Sequence, residues 1–432
     1  MTTAICPAIP RDPGGCTTSA ARPWPSTIAR ALVLCLVFSI IFLPEYARDA
    51  TAFGPAYAKA AGGFRFIDLA LLLLVFCHVV GLGCSRRRQV RFPHSLAIPG
   101  SAFLLCIVAG IAHGAARGGG NFFFDWRALA LGIGLYFVWS FWLQNSADAA
   151  AAVRLFGLYA AVRIALLFGL YVAGFRDTLL GVSIPIYDGP VLSCIVFAGP
   201  VAMCRPQIRG GRGERLLWSW LAPAACFLVL LCLRRTYWGE LAIGTVILLL
   251  VRKRNRVRNL ALLLVAVIAA AGFLGGPFSS RIQSLDVSRE DTRFSASNAD
   301  HVHDLGDAWD QIGQSPLLGI GVGTSYATWQ IRAWKTESVM VHNAPLHVWL
   351  KYGLAGLVCY LWFHVALLRW LYRRSKAAAF CAPAFAYLAA QFLMTLGFAP
   401  WPYSELQLTT LISFIIAVAV ASGEPSALPS GL

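Results

Sequence analysis

The chain has 432 residues, of which 58% are hydrophobic and only 13% are charged, and its mean hydropathy is +0.65. Soluble globular domains carry roughly 25% charged residues, so the composition excludes an ordinary soluble protein and indicates a membrane protein. The net charge of +16 does not indicate nucleic-acid binding, because the lysines and arginines form short clusters between apolar segments, as in cytoplasmic membrane loops.

Twelve apolar segments predict membrane-spanning helices, each of which needs roughly 20 residues to cross the hydrocarbon layer. They are residues 27–44, 66–84, 95–114, 126–144, 153–174, 188–204, 216–233, 238–251, 259–275, 343–367, 378–398 and 404–421. The first has no small-x-small cleavage site directly after it, so we interpret it as a retained helix rather than a signal peptide. The sequence therefore predicts an all-α polytopic membrane protein with about twelve transmembrane helices.

Clusters of Lys and Arg determine the predicted orientation, because cytoplasmic loops are enriched in these residues. The basic loops are residues 85–91, 205–215, 251–258 and 369–376, and they alternate with loops that carry far fewer charges. With an even number of spans, both termini are predicted to be cytoplasmic. The predicted parts are a cytoplasmic tail (1–26), transmembrane helices 1–9 (27–275), a periplasmic loop (276–342), transmembrane helices 10–12 (343–421) and a cytoplasmic tail (422–432).

The long outer loop is predicted to contain two amphipathic helices that lie on the membrane surface. An apolar stripe at helical spacing predicts the first helix, which ends at Gly313, and is formed by Val302, Leu305, Trp309 and Ile312. A glycine turn at residues 316–323 precedes a second predicted helix through Trp329 and Trp334. The opposite, solvated face of the first helix is predicted to carry Asp300, Asp304, Asp307 and Asp310.

Several motifs for metal, nucleotide or nucleophile chemistry are absent from the sequence. Most of the 12 cysteines lie in apolar segments and no CxxC pair occurs, so neither a disulfide framework nor a zinc site is predicted. The chain also lacks GxxxxGK[ST], DxD, HExxH and GxSxG motifs. Metal binding by the acidic residues together with His301 and His303 is an alternative without specific spacing, and we predict a protein without a metal or other cofactor.

A histidine at the start of the tenth span is the strongest candidate for catalysis. Asn343 is predicted to cap this helix and Pro345 to lie in its first turn, which places His342 where the outer loop meets the membrane. The positive end of a helix keeps a histidine neutral and able to accept a proton. Gly353 and Gly356 are predicted to let a neighbouring helix pack closely. An interfacial histidine with packing glycines is the alternative interpretation.

Three arginines are candidates for binding an anion. Arg234 and Arg235 lie in the short turn before the eighth span, against the positive-inside trend, and arginine binds pyrophosphate oxygens in bidentate fashion. Snorkelling of these side chains to the interface is the alternative. Arg163 lies within the fifth span, where an ionisable side chain indicates either a functional site or a structural ion pair. Asp188 and Glu240 are its candidate partners.

The motifs together resemble the O-antigen ligase and polysaccharide polymerase superfamily. His342-Asn343, nine intervening residues and then Gly353-x-x-Gly356 are similar to the signature of that family, and the glycine turn at residues 316–323 precedes it. Residues 234–238 resemble its Ser-Arg-Gly-x-Trp stretch. Arg replaces Ser and Thr replaces Gly in this stretch, so Arg235 is the matching arginine.

The resemblance implies a GT-C-like glycosyltransferase of the cell inner membrane whose active site faces the periplasm. It would transfer O-antigen polysaccharide from undecaprenyl pyrophosphate to a lipid A–core sugar, with inversion and without metal or ATP. Its implied partners are this donor, this acceptor and membrane lipids. His342 and Arg235 would be catalytic. The implied substrate-binding residues are Arg163, Arg234, Arg293, Arg289, His301, Asn343, Trp238 and Tyr187.

Three other functions share part of this pattern. A polysaccharide polymerase has the same motifs and uses a lipid-linked glycan as its acceptor. A protein O-oligosaccharyltransferase also has them, usually in a longer chain with a further outer domain. A transporter is supported only by the number of spans and by Arg163.

Overall fold

The computed structural model describes residues 24–42, 66–84, 90–120, 122–179, 182–185, 189–204, 211–252, 256–276, 279, 292–330, 335–338, 340–376, 378, 380–397 and 405–422. Within these ranges the chain forms thirteen helices and two antiparallel hairpins. The helices are α1 (Trp24–Phe42), α2 (Phe66–Cys84), α3 (His94–Ala116), α4 (Phe122–Trp142), α5 (Ser146–Val172), α6 (Gly189–Cys204), α7 (Arg212–Leu231), α8 (Arg235–Val251), α9 (Arg256–Leu274), α10 (Thr292–Gln314), α11 (Ala344–Arg374), α12 (Cys381–Thr395) and α13 (Leu406–Ser422). The hairpins pair β1 (Arg176–Leu179) with β2 (Val182–Pro185) and β3 (Tyr326–Gln330) with β4 (Lys335–Ser338).

Each of the twelve apolar segments coincides with a helix, and α10 is an additional helix between α9 and α11. By length and composition, five of the described helices could cross a membrane: α3, α5, α7, α9 and α11. Shorter apolar helices occur within α1, α2, α6, α12 and α13. The all-α membrane architecture is thus confirmed, whereas the number of crossings and the side on which the α9–α11 loop lies stay predictions.

Aromatic side chains in the centre of the bundle hold five helices together. Phe38 of α1, Trp139 of α4, Phe156 of α5, Phe197 of α6 and Phe414 of α13 are completely buried. The ring centroids of Trp139 and Phe414 are 5.0 Å apart, and the ring of Phe38 meets that of Phe414 edge-on at 5.2 Å. Tilted and edge-on contacts are the arrangements that aromatic quadrupoles favour. The helix α13 therefore forms a central element of the core.

The glycine turn of residues 316–323 is inserted between α3 and α11. Gly353 has φ +71°, which breaks the helical path of α11, and a Cβ atom at this position would overlap the Leu317 carbonyl. The Ile320 N–H donates to the Leu350 carbonyl at 2.7 Å, and the Leu354 N–H donates to the Pro316 carbonyl at 3.1 Å. The turn therefore supplies the hydrogen bonds that α11 loses at its break.

The prediction that a neighbouring helix packs on Gly353 and Gly356 is wrong. The glycine turn contacts Gly353, and the Tyr352 side chain of the same helix lies against Gly356. A second close approach occurs on α3, where a Cβ atom at Gly114 would overlap the backbone of Val322. Because glycine has no Cβ and tolerates positive φ, these positions let a non-helical segment lie between two helices.

The helix α10 ends before Ser315-Pro316 as predicted, but its buried face differs from the predicted stripe. Val302 and Trp309 are 62% and 56% exposed, whereas Asp304, Ala308 and Ile312 are buried at successive helical turns. This row packs on a small core that also contains Ile320, Tyr326, Val341 and Leu350. The small Ala308 side chain permits close packing there, and Asp304 finds hydrogen-bond partners, so its polarity does not keep it in solvent.

A hairpin replaces the second helix that the sequence predicted in this loop. The strands β3 and β4 pair Tyr326 with Ser338 and Gln330 with Lys335. Tyr326 and Thr328 are buried and the intervening Ala327 is exposed, which is the alternation of a strand with one packed face. Trp329 lies on β3, and Trp334 lies outside the described residues.

Candidate functional site

His342 lies directly before α11, and the start of this helix is fixed by Asn343. The Asn343 side-chain oxygen accepts from the Leu346 N–H at 3.0 Å, so the predicted helix cap is confirmed, and Pro345 lies in the first turn as expected. The Asn343 side-chain amide donates to the Leu396 and Gly397 carbonyls at 2.8 and 3.0 Å. One side chain thus joins the beginning of α11 to the end of α12.

Asp304 of α10 holds His342 through two hydrogen bonds. Its Oδ2 atom accepts from the His342 backbone N–H at 3.0 Å and lies 3.1 Å from the ring Nδ1 atom. The Asp304 side chain is 1% exposed, whereas the His342 side chain is 36% exposed. The prediction that Asp304 lies on a solvated face is therefore wrong: it is a buried carboxylate directly beneath an accessible imidazole.

The hydrogen bond to Asp304 directs Nδ1 of His342 towards the carboxylate and fixes the orientation of the imidazole ring. Burial opposes ionisation of Asp304, but hydrogen bonds from His342 and Tyr326 outweigh it and hold the Asp304 pKa below its usual value. An ionised carboxylate accepts only, so Nδ1 donates to it, and in a neutral ring the lone pair that accepts a proton is then on Nε2. A histidine oriented in this way by a carboxylate is suited to general-base catalysis.

Tyr326 of β3 is hydrogen-bonded to the same carboxylate. Its hydroxyl donates to Asp304 Oδ1, and it also lies 3.3 Å from the Met340 carbonyl. Burial and the bond to the Asp304 carboxylate raise the pKa of Tyr326 well above its usual value, so the hydroxyl stays protonated and acts as a donor. The hairpin that the sequence did not predict therefore contributes directly to the site.

Two buried polar residues of α11 hold the backbone around the site. His347 is 1% exposed, and its Nδ1 atom accepts from the Val341 N–H at 3.4 Å. Lys351 is completely buried, and its ammonium donates to the Thr324 carbonyl. Together with Asn343 they form a row at four-residue spacing on one helix face. That polar row within an apolar segment is a sequence signal that could have identified both residues.

The start of α8, which carries Arg235, lies at the same end of the bundle as His342. Gly239, one turn after Arg235, packs so closely on Met394 of α12 that an added Cβ would lie 2.7 Å from the Met394 sulfur. Met394 lies in the last turn of α12, next to the Leu396 carbonyl that binds Asn343. The end of α12 therefore connects the beginning of α8 to the beginning of α11. We call this the His342 end of the bundle.

A third helix, α6, also begins at the His342 end. The Tyr237 hydroxyl of α8 approaches Gly189 so closely that an added Cβ would lie 2.6 Å from it. One turn further in, the Ser193 hydroxyl donates to Glu240 at 3.0 Å and lies 2.9 Å from the Tyr387 hydroxyl. Three helix N-termini converge here, and each carries a partial positive charge that favours anions.

The remaining predicted site residues lie in several parts of the chain. Arg163 lies within α5, the fifth predicted span, and is buried, and its pairing with Asp188 or Glu240 stays a prediction. The Trp238 indole N–H donates to the Val229 carbonyl at 3.1 Å, which ties α8 to α7. Arg234 precedes α8 at its cap position. Arg293 and His301 lie on α10 with only their backbone described, and Tyr187, Asp188 and Arg289 lie outside the described residues.

The part of the chain that contains these residues is similar to a known family. A sequence model of the family described as O-Antigen ligase matches residues 220–361, a segment that begins within α7, includes Arg235, Asp304 and His342, and ends within α11. No curated protein matches the chain. The chain is thus similar to the O-antigen ligase family over about a third of its length. Together with the apolar helices, the match is consistent with a multi-pass membrane protein that has glycosyltransferase activity of the ligase or polymerase type.

Proposed function

We propose that this protein is an O-antigen ligase, which transfers a polysaccharide from undecaprenyl pyrophosphate to a lipid A–core sugar on the periplasmic face of the inner membrane. The observation that carries the proposal is the buried Asp304 bonded to the accessible His342, at the same end of the bundle as Arg235. A histidine that only packs at an interface has no need of a buried carboxylate, whose desolvation is costly unless it is paired.

The proposed reaction is a single displacement at the anomeric carbon of the donor. The acceptor hydroxyl oxygen forms a bond to that carbon while the bond to the pyrophosphate oxygen breaks, and the electron pair leaves with the pyrophosphate. His342 Nε2 takes the proton of the attacking hydroxyl, and Asp304 stabilises the resulting imidazolium. Attack opposite the leaving group inverts the configuration of the sugar carbon.

Arg235 would stabilise the negative charge that develops on the leaving pyrophosphate. A guanidinium binds phosphate oxygens in bidentate fashion, and the converging N-termini of α6, α8 and α11 add fixed positive dipoles. Such preorganised groups matter most in a site with little water. Since pyrophosphate is already a good leaving group, the step requires neither nucleotide triphosphate nor a metal ion.

The test is glycan transfer by the purified chain in lipid nanodiscs, supplied with lipid-linked donor and lipid A–core acceptor. His342→Ala and Arg235→Ala should each lower the transfer rate by about 10²-fold or more. His303→Ala, on the exposed surface of α10, and Arg154→Ala, in the first half of α5, are matched controls that should retain wild-type rates. Wild-type transfer by either His342→Ala or Arg235→Ala would contradict the proposal.

The product identifies the acceptor and separates ligase from polymerase. A ligase joins the glycan to lipid A–core, and a strain that lacks it accumulates full-length polymer on the lipid carrier with a bare core. A polymerase instead extends a lipid-linked glycan, and its loss leaves a single repeat unit on the core. Retention of configuration at the sugar carbon would contradict the single displacement.

A further inference from the structure

Two consecutive leucines are exposed in the glycine turn between α10 and β3. Leu317 and Leu318 are 68% and 65% exposed, whereas residues 319–323 of the same turn are buried. A turn that faces water is normally built from polar residues, glycine and proline. We infer that this turn enters the bilayer at the His342 end of the bundle and that Leu317 and Leu318 contact lipid acyl chains.

The first argument is the depth of the turn relative to the helices on both sides of it. The Val322 N–H donates to the Gly110 carbonyl at 2.9 Å, six residues before the end of α3. The Leu354 N–H donates to the Pro316 carbonyl at 3.1 Å, ten residues after the start of α11. At 1.5 Å per residue these points lie about 9 Å and about 15 Å inside the two helix ends. The turn therefore lies between the helices rather than above them.

The second argument is the position of the hydrocarbon boundary along α11. This helix has 31 residues and is about 46 Å long, which exceeds the roughly 30 Å of the hydrocarbon layer. The basic residues at its predicted cytoplasmic end begin at Arg369. An apolar span of about 20 residues before Arg369 therefore begins at Trp349. The Trp349 ring meets Trp309 edge-on at 5.6 Å, and tryptophans are enriched at membrane interfaces. Gly353, against which Leu317 packs, lies one turn further in.

The third argument is that polar backbone groups on both sides of the two leucines are hydrogen-bonded within the protein. Irregular backbone is tolerated at this depth only where its polar groups are hydrogen-bonded within the protein. The Pro316 carbonyl accepts from the Leu354 N–H and from the Trp349 indole at 2.8 Å. The Gly319 N–H donates to the Ser315 carbonyl at 2.8 Å. The two leucine side chains are left on the outside.

The partner is lipid because the leucines continue the lipid-facing surface of α11. Leu354, which bonds to the turn, is 39% exposed, and Val358, one turn further along, is 56% exposed. All of these side chains are apolar, as acyl chains require. Since α10 ends at the turn and carries Asp304, the lipid contact would anchor the helix that orients His342. The inference does not depend on the proposed reaction.

Spin labels attached to single cysteines test the depth of the turn directly. Leu317→Cys and Leu318→Cys are labelled in the full chain in lipid nanodiscs, after replacement of the 12 native cysteines. Collision rates are measured with oxygen, which concentrates in hydrocarbon, and with a water-soluble nickel chelate. Val358→Cys is the lipid reference, and Asp310→Cys, on the exposed face of α10, is the water reference. Labels at 317 and 318 should collide more with oxygen than with the chelate, as the label at position 358 does, whereas accessibilities like those at position 310 would overturn the inference.

A second measurement uses the unmodified chain and so does not depend on the cysteine replacements. Phospholipids with a photoreactive group near the end of one acyl chain are incorporated into the nanodiscs and activated by light. We expect cross-links within residues 316–318 as well as on the exposed face of α11. Cross-links on the membrane helices with none in the turn would overturn the inference, whether or not the chain transfers glycans.

Discussion

The contact between Asp304 and His342 distinguishes a catalytic histidine from one that only packs at an interface. The carboxylate is buried, accepts from both the backbone and the ring of His342, and is bonded on its other oxygen by Tyr326. A buried ionised group is stable only when partners compensate its desolvation. The sequence predicted His342 but not Asp304, because these residues are 38 positions apart and helical spacing does not reveal which face of α10 is packed.

Asp304 should contribute stability that depends on pH. Its pKa is lower in the folded protein than the usual value of about 3.9, so the contribution is present above about pH 4 and is lost as pH falls through the folded pKa. The melting temperature of wild type should therefore be higher than that of Asp304→Asn at pH 7, and this difference should shrink below about pH 4.

Asp310→Asn is the matched control for this measurement, because Asp310 lies on the same helix and is exposed. It should unfold like wild type at each pH. If the difference in melting temperature between wild type and Asp304→Asn stays constant or widens in acid, the assignment of an ionised Asp304 is contradicted.

At the scale of single elements, the break in α11 connects the membrane helix to the loop that carries Asp304. The Leu350 carbonyl accepts from the Ile320 N–H of the glycine turn. After this turn the chain forms β3, which begins with Tyr326. Lys351 holds the Thr324 carbonyl between these two points. The position of Tyr326, and with it that of Asp304, therefore depends on the geometry of α11 near Gly353.

Gly353→Ala should destabilise the protein strongly. A side chain at φ +71° costs about 1–3 kcal/mol, and the added Cβ would overlap the Leu317 carbonyl. Gly272→Ala is the matched control, because Gly272 lies within α9 with open space around it, and this change should be neutral or slightly stabilising. The melting temperature in detergent decides the comparison, and equal values for the two variants would show that α11 tolerates a regular path at Gly353.

Asn343 has two separable roles, as the cap of α11 and as the link to α12. Asn343→Ser keeps a cap oxygen but loses the amide that donates to Leu396 and Gly397, whereas Asn343→Ala loses both. We expect the Ala variant to be less stable than the Ser variant by about 0.5–2 kcal/mol in denaturant unfolding. Both variants lose the link to α12, and α12 also contacts α8, which carries Arg235. Both should therefore lose glycan transfer to a similar extent. Wild-type transfer by the Ser variant would show that the link has no role.

The helices could be predicted well because the bilayer imposes a minimum apolar length on every span, which composition alone reveals. The β3–β4 hairpin could not, because two strands of five and four residues carry too short an alternation to outweigh the aromatic residues that suggested a helix. The insertion of the glycine turn is also a tertiary feature. Its glycines are visible in the sequence, but the segments they approach on α3 and α11 are not.

At the scale of the whole molecule, the site is formed where α6, α8 and α11 begin and α12 ends. Arg235 begins α8 and His342 precedes α11, 107 positions further along the sequence. The contacts of Gly239 with Met394 and of Asn343 with Leu396 bring them to one end. The charge pattern predicts that this end faces the periplasm, which labelling in cells can test.

A membrane-impermeant maleimide should label Thr236→Cys and His303→Cys from outside intact spheroplasts. Each cysteine is introduced into a chain that retains, of its native cysteines, only the exposed Cys84. Cys84 ends α2 at the opposite side of the predicted topology, so it should react only after the membrane is made permeable. Labelling of positions 236 and 303 from opposite sides would refute the common site.

The most direct test of the central claim is the single-turnover rate of glycan transfer in wild type, Asp304→Asn, His342→Ala and the double variant. If Asp304 acts by orienting His342, each single change lowers the rate and the double variant is no slower than His342→Ala alone, because residues that act as a unit are not additive. Losses that multiply in the double variant, or a wild-type rate for Asp304→Asn, would contradict the proposed role of this pair.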